Sequence, residues 1–426
     1  MSWVERDAAV VWHGFTQMAC YADNAPVVVD RAEGRELIGV DGKRYFDAIS
    51  SLWVNTLGHR VPELDDALRA QLDRVAHSTL LGNGNRTVIE LAEALAPRVP
   101  VDDAHFLFAS DGAAAVEQAL KIAFQYWRNR GVDTRTTYLA FGDAYHGDTI
   151  GSLSVGAGGF GTDVFDALRF PVVRAPSFDD PTCFDIAVDL IEGHAPELAA
   201  VVVEPLVQGA AGMRTAAPEE FTRLAAACRE QNVLFICDEV ATGFGRTGTL
   251  FASEQCDIRP DLMCIGKGLT GGYLPMAATV ASQRVFDAFL GPDLSDRTLY
   301  HGHSYSGNAL AGAVALRHLQ LIDEWDVLAN VRARSVELVK MLDDQVRVHP
   351  AVADVRVVGL MGAVQLAGFD THPLRARHTA KAMVESGVLS RSLGDAVTIV
   401  PPLTTTTDEI ERIVTVLRAA LDEVVA

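Results

Sequence analysis

Three short segments carry residue types that could do chemistry together. Lys267 lies between glycines in Cys264-Ile265-Gly266-Lys267-Gly268-Leu269-Thr270-Gly271-Gly272, at the end of an apolar run. A lysine there has room and little competing water, conditions that lower an amine's pKa and suit Schiff-base formation. Asp238 follows a second apolar run in Cys237-Asp238-Glu239-Val240. A carboxylate at the end of a buried strand is costly without a cationic partner, and a protonated heterocycle nitrogen would be one. Ser110-Asp111-Gly112-Ala113-Ala114 leaves a third run and opens a helix continuing to Trp127, where free N–H groups and the helix dipole favour a phosphate. Taken singly, the helix start reads equally as an ordinary capped helix, and Lys267 as a surface lysine in a flexible loop.

The elements that position these segments are legible in outline. The apolar runs His105 to Ala109, Thr137 to Phe141, Ala199 to Val203, Val233 to Cys237 and Leu262 to Ile265 alternate with helical stretches. That pattern predicts buried parallel strands with helical crossovers. Arg35 to Val40 and Lys43 to Phe46 flank Asp41-Gly42, a hairpin signal. From Ala309 to about Asp344 the pattern is one long helix, followed by an extended run from Val355 to Ala367, a helix near Ala376 to Ser386, a strand at Thr398 to Pro401 and a final helix from Thr407. We expect an α/β sheet domain over 60–308 and a smaller α+β lobe over 309–426, which the amino-terminal segment 1–59 joins.

Composition narrows the classes. The 426 residues include 36 basic and 56 acidic side chains, a net charge of −20 with no basic run, which argues against nucleic acid as a partner. No apolar run is long enough to span a bilayer, and the start of the chain lacks the pattern of a signal peptide. The six cysteines are scattered without a CxxC pair, which predicts buried thiols and a cytoplasmic protein. His301, His303 and His146 could suggest a metal, but no acidic or cysteine complement lies near His301 and His303, so no metal is expected. The formal GxGxxG at Gly243 to Gly248 opens no convincing helix and is not read as a dinucleotide site.

A phosphate cradle, a strand-end aspartate and a glycine-flanked lysine are together what pyridoxal 5′-phosphate requires of a protein. The strings DEVATGFGRTG, GKGLTGGYLP, YHGDT at Tyr145 to Thr149 and HGHSYSGN at His301 to Asn308 resemble the class III aminotransferases, of pyridoxal-phosphate fold type I. Within the class, WHGFTQM at Trp12 to Met18, SSLWVNTLGH at Ser50 to His59, HSTLLG at His77 to Gly82 and QYWRN at Gln125 to Asn129 resemble the diaminopelargonate-forming enzymes of biotin synthesis, which aminate 8-amino-7-oxononanoate.

The resemblance implies roles residue by residue. Lys267 would be the Schiff-base lysine and proton shuttle, Asp238 the partner of the pyridinium proton, and Val240 and Tyr145 the two faces around the ring. Gly112 and Ala113 would hold the phosphate, with Ser304 reaching it from the partner subunit of a homodimer that shares its active sites. Glu204 would support the cofactor site from behind. Arg391 would bind a substrate carboxylate and Asp148 a substrate amine, with Phe15, Leu52, Trp53 and Gly302 around the substrates. The family pattern for S-adenosylmethionine as donor has Pro-Tyr and tandem tryptophans where this chain has Gly14-Phe15 and Leu52-Trp53. That leaves S-adenosylmethionine and lysine both open as donors. Also open are an ω-amino acid:pyruvate or 4-aminobutyrate-type aminotransferase, a glutamate-1-semialdehyde aminomutase type, and a binding protein that keeps the fold.

Overall fold

The computed structural model describes residues 1–24, 26–157 and 161–425. A seven-stranded sheet forms its centre, with strands numbered here in chain order: β1 His105–Ala109, β2 Thr137–Phe141, β3 Val173–Ala175, β4 Leu198–Val203, β5 Leu234–Asp238, β6 Leu262–Ile265 and β7 Ala277–Ala281. Their spatial order is β1-β7-β6-β5-β4-β2-β3. All neighbouring pairs are parallel except those of β7, which runs antiparallel to both β6 and β1. Every residue of β4 is buried, as an unbroken apolar strand covered on both faces must be.

The helix Gly112–Asn129, labelled α1, packs on this sheet through Ala115, Ala119, Ile122, Ala123 and Tyr126, a stripe at helical spacing. Trp127 is fully buried at its end, and its indole N–H donates to the Ala199 carbonyl at 2.8 Å, tying the helix to β4.

The terminal lobe draws on both chain ends. Strands Val29–Glu33, Glu36–Gly39 and Arg44–Asp47 form an antiparallel meander whose last strand runs parallel to Val388–Leu389. A second sheet joins Val352–Val358, Met361–Leu366, Ala396–Ile399 and Arg391–Leu393. The helix Ala309–Glu324 lies against the helices Pro62–Leu72 and Arg86–Leu95.

Four details depart from the sequence reading. The expected single helix from Ala309 is two, Ala309–Glu324 and Val327–Gln345, broken where Asp326 takes a left-handed φ of 47° that a short polar side chain tolerates. The expected run Val355 to Ala367 is a hairpin turning at Gly359, whose φ is +59°. Strand β7 has no counterpart in the sequence reading: three of the five residues in Ala-Ala-Thr-Val-Ala are alanine, too small to stand out as an apolar run, and its ladders are all long-range. Cys20 is exposed, whereas the other five cysteines are buried and all six are free.

Candidate active site

Each chemical residue sits at or just past the carboxyl end of a sheet strand, the edge where open α/β sheets bind ligands. The ends of β1, β2, β4, β5 and β6 deliver Gly112, Tyr145, Glu204, Asp238 and Lys267 to one cavity of about 690 Å³. Trp53, Asp111, Ala113, His146, Asp148 and Val240 complete the wall that matters here.

Helix α1 begins at this cavity. Asp111 is its N-cap, in extended conformation, and accepts a hydrogen bond from the Ala114 N–H at 2.9 Å. The preceding N–H groups of Gly112 and Ala113, as the first two of the helix, have no intrahelical acceptor. Residue 112 has to be glycine: a Cβ there would come within 2.6 Å of Val240 Cγ1. Val240 can therefore lie directly against the helix start.

Asp238 is buried. One carboxylate oxygen accepts from the Val240 N–H at 3.0 Å, and the other pairs with His146 Nδ1 at 2.7 Å. His146 is buried as well, and its Nε2 has no partner among the described residues. The histidine read as a weak metal candidate is thus Asp238's hydrogen-bond partner. His301 instead lies 3.0 Å from Lys121 Nζ, and no group of three potential metal ligands occurs among the described residues.

Lys267 opens a 3₁₀ turn, Lys267–Thr270, with a left-handed φ of 41°, and its Nζ lies 4.8 Å from the centre of the Trp53 ring. Burial pushes its pKa below the usual lysine range; the Asp238 and Glu204 carboxylates oppose this, and the Arg246 cation adds to it. The flanking glycines provide close packing rather than loop freedom. A Cβ on Gly268 would meet Phe244 Cβ at 2.9 Å, and one on Gly266 would meet Ala277 Cβ at 3.3 Å.

Tyr145 donates its hydroxyl hydrogen to Asp148 Oδ2 at 2.9 Å, and burial, then Asp148, keep the phenol protonated. Its backbone N–H donates to Glu204 Oε1 at 3.1 Å, while the Gly209 N–H donates to Oε2 at 3.1 Å. Burial pushes the Glu204 carboxyl up to about 7, with nearby Asp238 adding to the rise and His146 opposing it.

The other sequence-selected residues lie elsewhere. Phe15 and Arg391 line a neighbouring cavity of about 740 Å³ that shares Ala210 with the first. Leu52 is exposed, with φ 78°, on the turn whose next residue, Trp53, faces the site. Gly302 packs against Leu81, and the Ser304 carbonyl accepts from His77 Nε2 at 2.6 Å; neither lines the cavity within this chain.

This arrangement is set on a fold that is shared. Residues 18–421 match the family model of the class III aminotransferases, and the chain belongs to that family. It is 44% identical to the adenosylmethionine-8-amino-7-oxononanoate aminotransferase of Nitratidesulfovibrio vulgaris, covering 97% of this chain and 80% of that one. A second enzyme of that name, from Anoxybacillus flavithermus, is 40% identical, with 99% and 96% covered. The crystal structure of the Methanocaldococcus jannaschii enzyme of that name superimposes with a TM-score of 0.94 at 36% identity, covering 98% of each chain.

Class III aminotransferases depend on pyridoxal 5′-phosphate. The residues present fit that group: two N–H groups at a helix start for the phosphate, a buried carboxylate for a ring N–H, and a half-buried lysine of lowered pKa all line one cavity.

Proposed function

We propose that this chain transfers an amino group from a donor amine to 8-amino-7-oxononanoate, giving 7,8-diaminononanoate in biotin biosynthesis, with S-adenosylmethionine or lysine as donor. The observation that carries the reading is the convergence of Lys267 and Asp238 on one cavity, in a chain 44% identical over 441 residues to an enzyme named for this reaction.

Bound pyridoxal phosphate supplies an electrophilic carbonyl that captures amines and a ring that draws electrons from the adjacent carbon. The chain's residues do the rest. Lys267, whose amine pKa burial lowers, would be the nucleophile that anchors the cofactor, and its Nζ would be the group that holds and moves the proton at the amine-bearing carbon. Asp238, held by His146 and the Val240 N–H, keeps a proton on the ring nitrogen. Gly112 and Ala113 hold the phosphate, and Val240 and Tyr145 confine the ring.

Glu204 fixes the Tyr145 backbone, and Tyr145 and Asp148 present a hydroxyl and a carboxylate to a substrate amine. Arg391, with a planar fork of donors, takes the acceptor's carboxylate beside Phe15 in the outer cavity, and Trp53 bounds the inner substrate space.

In this reading the active unit is a homodimer in which Ser304 of each chain completes the other's phosphate site. Exposed Leu81, Tyr300 and Tyr305 around that segment support it. Six free thiols suit the reducing cytoplasm. The test is a donor panel of S-adenosylmethionine, lysine, alanine and glutamate, each followed in the first half-reaction at the cofactor's absorbance, then chased with 8-amino-7-oxononanoate. Turnover by a Lys267→Ala variant, or failure of every donor, would overturn the assignment.

A further inference from the structure

The first twenty-four residues form a strap along the outer cavity, and the strap is held by polar contacts rather than by core packing. Its helix Trp3–Ala8 buries no residue. From there the chain doubles back, and one oxygen of Asp7 gathers two partners: His13 Nε2 at 2.7 Å and the Tyr21 hydroxyl. The His13 and Tyr21 rings stack at 4.7 Å with 14° between their planes. Three side chains from separate turns thus close residues 7 to 21 into a loop. Its far end is tied down by Lys381, whose Nζ donates to the Asp23 carbonyl at 2.9 Å.

Phe15, Gln17 and Tyr21 of this loop line the outer cavity together with Arg391 and Leu393. Phe15 sits at the tip with a left-handed φ of 52° and is 60% exposed, so its placement depends on the clasp behind it. An apolar ring and an arginine lining one cavity suit an aliphatic chain ending in a carboxylate.

We infer that Asp7 is a positioning residue which, through His13 and Tyr21, clasps the strap over the outer cavity and thereby sets the affinity for the carboxylate-ended chain of the acceptor. Only the identity of that chain rests on the proposed function. A strap with so few buried contacts opens locally at low cost, so a bound chain and the clasp should stabilise each other.

The test uses the holoenzyme and two variants, Asp7→Ala and Tyr21→Phe, with nonanoate as a non-reacting probe. Losing one hydrogen bond of the clasp in Tyr21→Phe should raise the calorimetric Kd for nonanoate roughly fivefold, and losing both in Asp7→Ala should raise it at least as much. The KM for 8-amino-7-oxononanoate should rise to a similar extent while kcat stays within about twofold, because the strap touches no reacting atom. Amide exchange over residues 9–17 should quicken in both variants and slow again with nonanoate. Asp7→Asn, which keeps an acceptor for the Tyr21 hydroxyl, should recover part of the affinity.

Faster exchange with unchanged Kd and KM would overturn the inference, leaving Asp7 a purely structural residue. So would a fall in kcat without a change in KM. If the wild-type enzyme fails to aminate 8-amino-7-oxononanoate, the proposed function fails, while the nonanoate and exchange measurements still decide the clasp.

Discussion

Glu204 gives the sharpest quantitative prediction. Its carboxyl is buried behind Tyr145, and its pKa is pushed from an ordinary 4.5 to about 7. A carboxyl whose pKa rises on folding favours the folded state while it is protonated. That contribution is full below 4.5 and is lost as the pH climbs through about 7. At about 1.36 kcal/mol per unit, its linkage should cost the fold roughly 2–3 kcal/mol between about pH 5 and pH 8. Glu204→Gln removes the titration but keeps one oxygen as acceptor for the Tyr145 or Gly209 N–H. The variant carries a fixed penalty, the lost acceptor, that does not change with pH. An unfolding entropy of roughly 2.1 cal/mol/K per residue over 426 residues turns that loss into about 3 °C. Calorimetric scans of the apo-protein at about pH 5 and pH 8, at one scan rate, should therefore show wild type losing about 3 °C more than the variant. Parallel pH dependences would refute the claim that burial holds a proton on Glu204.

Asp238→Asn keeps the shape and the Val240 contact but removes the charge, and should slow both half-reactions by about 10²-fold or more in stopped-flow absorbance. Gly112→Ala drives a methyl into Val240 at 2.6 Å. That overpacking should cost about 1–3 kcal/mol, a drop of roughly 1–3 °C in Tm, and weaken cofactor binding in a fluorescence titration. Gly359→Ala and Gly394→Ala separate strain from collision. Both glycines have left-handed φ, but a Cβ at 359 would meet the Arg246 carbonyl oxygen at 2.2 Å while one at 394 meets nothing within 4 Å. Gly394→Ala should cost about 1 kcal/mol in urea melts, whereas Gly359→Ala should leave little soluble protein.

What the sequence made legible was local. His105–Ala109, Thr137–Phe141 and Leu262–Ile265 have the same bounds as runs and as strands; Leu262–Ile265 is buried and apolar throughout, while His105 and Thr137, which open the other two, are half-buried. Gly112, Asp238 and Lys267 could be picked out because each follows such a run and breaks its pattern. The sequence offered His146 only within YHGDT and as a weak metal candidate, not as Asp238's partner, since Asp238 lies 92 residues away and no spacing rule joins them. Nor does spacing join Phe15 and Arg391, which line one cavity from opposite ends of the chain. The break at Trp325-Asp326 escaped because the apolar pattern continues through it and one left-handed residue leaves no periodic mark.

The antiparallel strand β7 also bears on how the molecule is made. Among the described residues strand β1 has β7 as its only ladder partner in the central sheet, and Ala109 pairs with Ala277, 168 residues later. At roughly 5–20 residues per second, a ribosome needs on the order of 10–30 s to deliver that partner. For that interval the nascent chain carries His-Phe-Leu-Phe-Ala, a strand rich in aromatic residues, with its hydrogen-bonding edges open. The Lys267 loop, which lies between β6 and β7, is likewise set only when β7 seats. Assembly of the catalytic edge is thus a late event in synthesis, and the yield of active protein should depend on holdase chaperones more than the stability of the finished fold would suggest.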